Sequence, residues 1–322
     1  MVLRSVCTIF VTENLQNSNL MYFLEIKDVV KQYTGHLALD HVSLNIKENS
    51  IYGLLGPNGA GKTSLIRIIN QITHPDSGEV LMQGKPMTIE DVRNIGYLPE
   101  ERGLYKKMTV SDHIIYLARL RGMSKSDAKA KMLYWLDRFQ LMDWKNKKIE
   151  SLSKGMAQKV QFIATVIHSP KLLVFDEPFS GFDPVNADIL KREILNLHKE
   201  GSTIIFSTHN MSSVEEVCQE ITLIDKSRVV LQGNVNEIRQ QFKKNIFNIV
   251  VTQPAIAAHD ELYSILEQNT NFQGYATARI KINNGVSARE IISLLNEKYT
   301  LQNFSEVLPS MHEIFIETVT QK

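Results

Sequence analysis

The stretch Gly56-Pro57-Asn58-Gly59-Ala60-Gly61-Lys62-Thr63-Ser64 has the spacing G-x-x-x-x-G-K-[ST]. An apolar run, Ile51-Tyr52-Gly53-Leu54-Leu55, leads into it, and Leu65, Ile66, Ile68 and Ile69 follow at helical spacing. Strand, glycine-rich loop and helix is the context in which this spacing binds phosphate. Glycines let successive backbone N–H groups turn inward without a Cβ clash. The helix that follows aims its positive end at the same anion. Lys62 adds a mobile charge for the outer phosphates, and Thr63 offers a hydroxyl to Mg²⁺.

Composition sets the frame around this loop. The chain has 322 residues, 43% hydrophobic and 22% charged, enough for about two globular domains with real cores. A net charge of +1 gives no reason to expect nucleic acid as a partner. Two cysteines, Cys7 and Cys218, cannot build a disulfide framework and fit a reducing compartment. No apolar run approaches the roughly 20 residues of a membrane span. Any membrane function therefore needs another chain to supply the spanning part. Residues 1–21 read as an extension ahead of the folded pattern, with Met21 as the expected true start.

From Tyr22 to Gly53 the chain alternates and turns like β structure, with Tyr33-Thr34-Gly35 in a turn. An aromatic ring near a phosphate site can stack on a nucleotide base. Taken alone, Tyr33 reads as a packing residue. Ile95–Pro99 predicts a strand that ends in the loop Glu100–Tyr105. Two amphipathic helices are expected next, one capped by Ser111 and one from Ser124 to Leu141, as an insertion spanning about 101–170. Ser151-Leu152-Ser153-Lys154-Gly155-Met156 then opens a further helix, whose N-terminus is either a plain N-cap or a second anion-binding end.

Lys171–Phe175 is a continuous apolar run, as in a strand buried on both faces, and it ends in Asp176-Glu177. Carboxylates at the C-terminal end of such a strand lie where open α/β sheets bind ligands. One can hold Mg²⁺ and the other can act on a water. A second buried strand, Thr203–Ser207, ends at Thr208-His209, which makes His209 a candidate for the same site. Residues 243–322 predict a small separate α+β domain: strands at Asn248–Thr252, Tyr275–Ile282 and Leu301–Val307, and helices at Ile256–Leu266, Ala288–Tyr299 and Ser310–Val319.

In this order and spacing the set resembles the ATP-binding cassette family over about Leu24–Phe242. The carrying residues are Tyr33 (base-stacking aromatic), Gly56–Ser64 (Walker A), Glu100 (the Q-loop position), Leu152–Met156 (signature), Leu172–Glu177 (Walker B with the catalytic acid), Ser180–Asp183 (D-loop) and His209 (switch histidine). The stretches Leu98–Tyr105 and Ser153–Met156, with the tail Pro309–Glu317, are similar to the subgroup that serves bacterial export permeases, sodium-efflux types among them. The resemblance implies a P-loop NTPase core of RecA type over 22–242, carrying an antiparallel β subdomain and the helical insertion, followed by an accessory domain over 243–322.

It also implies ATP and Mg²⁺ as cofactors. Pro57, Asn58, Gly59 and Ala60 would wrap the phosphates together with Gly56, Gly61, Lys62, Thr63 and Ser64. Thr63, Glu100 and Asp176 would hold Mg²⁺, and Glu177 and His209 would be catalytic. Ser153, Gly155 and Asp183 would serve the ATP of a second cassette, in a homodimer or heterodimer. The implied partner is a separately encoded membrane permease, which would seat this subunit in the cytoplasm on the inner face of the cell membrane. The alternative is a soluble cassette ATPase of repair, translation or regulation. The interval from Lys62 to Ser153 is too short for the coiled coils of repair types, and translation types carry two cassettes per chain. Two departures stand out: glutamate where most members have glutamine at position 100, and Lys154 and Met156 within the signature.

Overall fold

A computed structural model describes residues 9–10, 22–101, 103–272 and 274–320. The chain divides into two compact units at Val235/Asn236. In chain order the first unit contains β1 (Ile9–Phe10), β2 (Leu24–Tyr33), β3 (His36–Ile46), β4 (Ile51–Leu55), α1 (Lys62–Ile69), β5 (Ser77–Met82), β6 (Lys85–Pro86) and β7 (Ile95–Leu98). It continues with α2 (Val110–Leu120), α3 (Lys125–Arg138), α4 (Lys154–Val166), β8 (Leu172–Asp176), α5 (Pro184–Lys199), β9 (Thr203–Thr208), α6 (Met211–Val217), β10 (Glu220–Asp225) and β11 (Arg228–Asn234). Of the expected N-terminal extension only Ile9–Phe10 is described, as an edge strand parallel to β11. The rest of that stretch lies outside the described residues.

The main sheet has the order β1-β11-β10-β4-β9-β8-β7. Strands β10, β4, β9, β8 and β7 run parallel. Every residue of β4, β8 and β9 is buried, which is why these segments read as unbroken apolar runs rather than alternating ones. Leu55 lies beside Thr208, and Asp176 beside Ser207. The loops that leave β4, β8 and β9 therefore emerge side by side at one edge, where open α/β sheets form their ligand sites.

A second, antiparallel sheet has the order β3-β2-β5-β6. Its long hairpin turns at Thr34–Gly35, and Gly35 takes φ 74°, a left-handed conformation that glycine adopts without strain. Tyr33 closes the hairpin opposite His36.

The helical insertion is joined to the sheet by aromatic rings. Trp135 stacks on Phe139, Phe139 meets Phe162 edge-on at 5.6 Å, and Phe162 stacks on Phe175 at 5.7 Å. This chain of rings runs from α3 through α4 to β8. The first helix of the insertion is capped by Thr109 rather than by Ser111: the Thr109 side chain accepts from Asp112 N–H. Both residues are good caps, and the extended backbone at Thr109 decides between them. The helix after the glycine loop, α1, ends at Ile69 with Asn70 at its C-cap.

The second unit contains α7 (Val235–Gln241), β12 (Ile246–Val251), β13 (Tyr263–Thr270), β14 (Ala276–Ile282), α8 (Ala288–Lys298), β15 (Leu301–Val307) and α9 (Met311–Thr320). The change-over falls ahead of the expected Phe242 because α7 is tied into this unit, Arg239 Nε donating to Pro309 O at 3.0 Å. Its antiparallel sheet has the order β13-β14-β12-β15. Phe247, Ile249, Val251, Ala276, Ala278, Ile280 and Ile282 bury one face against Ile291 and Leu295 of α8. The helix expected over Ile256–Leu266 is not formed. Tyr263 and Ile265 pair with Ile282 and Ile280 as an edge strand, and Ile256 packs into the core from the preceding loop. Two alanines and two leucines read locally as helix formers, but strand pairing with β14 overrides that preference.

Candidate functional site

The loop after β4 and the acids after β8 close around a cavity of about 270 Å³. Asn58, Gly59, Gly61, Lys62, Thr63, Ser64, Glu100, Asp176 and Glu177 line it. Backbone geometry explains two of the loop glycines. Gly56 takes φ 148°, and a Cβ there would stand 2.2 Å from Ile224 O. Gly61 takes φ 115°, and a Cβ would stand 2.3 Å from Ala38 O. Neither contact tolerates a side chain, so the loop can approach its neighbours only as glycine.

Lys62 opens α1 and is buried. Its Nζ donates to Gly56 O at 2.7 Å and to Pro57 O at 3.0 Å, so the ammonium rests on the carbonyls of its own loop. Burial lowers its pKa, and Glu177, Asp176 and Glu100 oppose that shift. Asp176 is buried too. Burial raises its pKa, helped by the like charges of Glu100 and Glu177 and opposed by Lys62. One cation thus faces three carboxylates in a small cavity. Such a donor set, with the Thr63 hydroxyl, fits a hard divalent cation, which takes oxygen ligands.

Glu177 takes φ 48°, a left-handed conformation that costs a residue with a side chain about 1–2 kcal/mol. The surroundings impose it. Glu177 N–H donates to Ser207 O at 2.9 Å, and Ser180 N–H donates to Glu177 O at 3.0 Å. The carboxylate accepts from Thr208 Oγ1 at 3.1 Å, from His209 N–H at 2.8 Å and from His209 Nδ1 at 2.6 Å. The end of β9 therefore fixes the acid that follows β8. Such enforced backbone is what functional sites show.

His209 reaches this cavity only through Glu177. Gly56, Pro57 and Ala60 do not line the cavity, and Tyr33 stands 36% exposed at the hairpin tip. Ser153, Gly155 and Asp183 do not line it either. They gather elsewhere in the first unit. Ser153 caps α4, accepting from Met156 N–H at 3.3 Å. Asp183 caps α5, accepting from Asn186 N–H at 3.0 Å. Gln158 Nε2 donates to Ser180 O, and the Lys154 side chain lies over Gly181, where any Cβ would collide with it. The signature and D-loop segments are thus one surface.

His36 and Ala38 line the cavity and were missed in the sequence. Their signal is weak: they follow the Tyr33 turn on β3, and only the packing of that hairpin over the phosphate loop brings them in. Thr208, which holds Glu177, was also missed, its hydroxyl being one of many in the chain.

A second, larger cavity of about 480 Å³ lies between β7, α2 and α4. Pro99, Leu104, His113, Gln161 and His168 are among its walls. Among the described residues no helix is long and apolar enough to cross a membrane.

Comparison with known proteins agrees with this geometry. The family described as ABC transporter matches residues 39–180, and the ATP-binding protein DrrA1-3-like C-terminal domain matches residues 233–319. An uncharacterized ABC transporter ATP-binding protein of Bacillus subtilis, YhaQ, is 42% identical over 300 residues, covering 92% of this chain and 98% of the relative. The B. subtilis ABC transporter ATP-binding protein NatA is 32% identical, covering 71% of this chain and 92% of NatA. The lantibiotic transport ATP-binding protein SrtF of Streptococcus pyogenes is 32% identical, covering 65% and 90%. A solved ATP-binding subunit of an ABC transporter superposes with a TM-score of 0.64 at 30% identity, covering 68% of this chain and 93% of that one. CbiO1 of Clostridium perfringens, part of the cbiONQ transporter complex, superposes with a TM-score of 0.59 at 27% identity, covering 68% and 94%.

Proposed function

The chain belongs to the ATP-binding subunits of ABC transporters, the ATPases that power transport, and we propose that it drives an export-type permease by binding and hydrolysing ATP between two cassettes. The observation that carries this reading is the cavity in which Lys62, Thr63, Glu100, Asp176 and Glu177 converge, with His209 bonded to the last of them.

Each group has a task that its chemistry fits. The glycine loop and the start of α1 present N–H groups to the phosphates of ATP. Lys62 exchanges the carbonyls of Gly56 and Pro57 for phosphate oxygens. Tyr33 stacks on the base. Thr63, Glu100 and Asp176 would hold Mg²⁺, which would neutralise charge on the phosphates when bound. Glu177 orients and polarises the attacking water, and His209, steadied by Glu177, contacts the γ-phosphate. Phosphoryl transfer asks mainly for positioning and charge neutralisation, and these groups supply both.

Ser153 and Gly155 lie at a helix N-terminus outside the cavity, as do Asp183 and the D-loop. This separation supports a composite site, in which they complete the ATP site of a second cassette and receive the same service in return. The permease is a separate chain on the cell membrane, with this subunit on the cytoplasmic face. The 480 Å³ cavity beside the Glu100–Tyr105 loop is where motion of the helical segment would pass to it. SrtF is named for lantibiotic transport and supports the export direction by analogy.

Purification of the tagged chain from native membranes tests the reading. Recovery together with a protein of several membrane spans is the expected result. Recovery as a soluble species bound to ribosomes or DNA would overturn it.

A further inference from the structure

Gln161 lies on α4 two helical turns beyond Ser153, and it is buried. Its side-chain amide donates to Pro99 O at 3.2 Å and to Glu101 O at 3.2 Å. These are the carbonyls on either side of Glu100. One –NH₂ group carries two donors, and here both are used to bracket a single residue. The location gives the bracket its importance. Strand β7 is the outermost strand of the main sheet and ends at Leu98. Among the described residues no neighbouring strand continues the ladder beyond it, so the backbone that carries Glu100 needs another source of hydrogen bonds. The next turn of α4 reinforces the arrangement: Thr165 Oγ1 donates to Gln161 O at 2.9 Å.

Neighbouring residues of this loop thus face different cavities. Pro99 and Gln161 line the larger cavity, and Glu100 lines the nucleotide cavity. We propose that Gln161 is the positioning residue for Glu100: by holding both flanking carbonyls it keeps the Glu100 carboxylate turned into the nucleotide cavity and ties that carboxylate to the helix that begins at Ser153. This rests on the assignment of Glu100 to the Mg²⁺·ATP site. It concerns a residue outside every motif, one that touches neither nucleotide nor metal.

The purified full-length chain tests it by binding alone. The affinity for ATP is measured with Mg²⁺ and with EDTA, and the ratio is the metal-dependent gain. Four proteins are compared: wild type, Glu100→Ala, Gln161→Leu and the double variant. Gln161→Leu should cut the gain about threefold to tenfold with ATP affinity in EDTA unchanged. Combined with Glu100→Ala it should add nothing further, because both changes remove the same carboxylate from the site. Losses that multiply in the double variant, or an unchanged gain in Gln161→Leu, would overturn the proposal. Gln161→Glu is the second variant: it keeps size and polarity but cannot donate when ionised, and it should reproduce the loss. If Glu100→Ala itself leaves the gain unchanged, the metal assignment of Glu100 fails instead, and the two failures are told apart. A thermal melt of each variant separates loss of the clasp from loss of the fold.

Discussion

Glu177 and His209 are bonded twice: the carboxylate accepts both the His209 backbone N–H, at 2.8 Å, and its Nδ1, at 2.6 Å. The carboxylate thus fixes the tautomer, with the proton on Nδ1. Only Nε2 is then left for a phosphate, and it can donate there only as imidazolium. The acid and the histidine act as a unit, although they follow different strands.

Glu177→Gln should slow ATP hydrolysis by about 100-fold or more, the usual scale for losing a positioned base. ATP affinity should change little, because glutamine can still accept from the His209 N–H. Phosphate release and nucleotide titration measure the two. Turnover at the wild-type rate would remove Glu177 from its role.

Lys62→Ala should weaken ATP binding by about 10- to 100-fold, the worth of charge-assisted bonds to phosphate. The carbonyls it now holds, of Gly56 and Pro57, can hydrate in the open loop, so the fold should persist. Unchanged binding in a nucleotide titration would refute the Walker A assignment.

Gly56→Ala sets a Cβ 2.2 Å from Ile224 O at φ 148°. Backbone must shift on one side or the other, and the cost should be about 2–4 kcal/mol. Chemical denaturation should show the loss. A variant as stable as wild type would mean that the loop and β10 do not meet as described.

Ser153 separates its two readings by a pair of substitutions. Ser153→Ala removes the bond from Met156 N–H and should cost about 1 kcal/mol. Ser153→Asp caps a helix equally well, so stability should return to wild type. Its negative charge should nonetheless repel the partner's triphosphate and abolish ATP-dependent dimerisation, read by light scattering in the Glu177→Gln background. Dimerisation that survives Ser153→Asp would leave Ser153 as a cap and nothing more.

His113 is fully buried, neither ring nitrogen has a partner, and its ring meets Tyr105 edge-on at 5.6 Å. Burial holds its pKa down at about 4. His168 is held at about 4 as well, by burial first and then by the charge of Arg121. Between the ordinary histidine value of about 6.5 and 4, the unfolded chain binds the extra protons. Stability should therefore be full above about pH 6.5 and fall as pH drops towards 4, on the order of 3 kcal/mol for His113. In His113→Phe the drop in melting temperature between pH 7 and pH 5 should shrink. An identical drop in the variant would show that His113 is accessible to protons in the fold.

Much of the site was legible in one dimension because its chemistry is local. The phosphate loop needs glycines and a lysine at fixed offsets, and Asp176-Glu177 ends an unbroken apolar run. Such features survive without knowledge of partners. The segment Ile256–Leu266 was misread for the opposite reason. Its residues favour a helix, and its strand exists only because Tyr263 and Ile265 meet Ile282 and Ile280.

By itself the sequence determined that a strand, a glycine loop and a helix follow one another at Gly56–Ser64, and which acids and histidine stand at the ends of buried strands. Periodicity, apolar runs and the steric freedom of glycine are properties of neighbouring residues, so they can be read along the chain. Only the tertiary structure decided that Gln161 clasps Glu100, that Thr208 and His209 hold Glu177, and that His36 reaches the cavity while Ser153 does not. Those relations depend on which elements pack together. Hydrogen bonds between residues dozens of positions apart leave no pattern in the order of the residues.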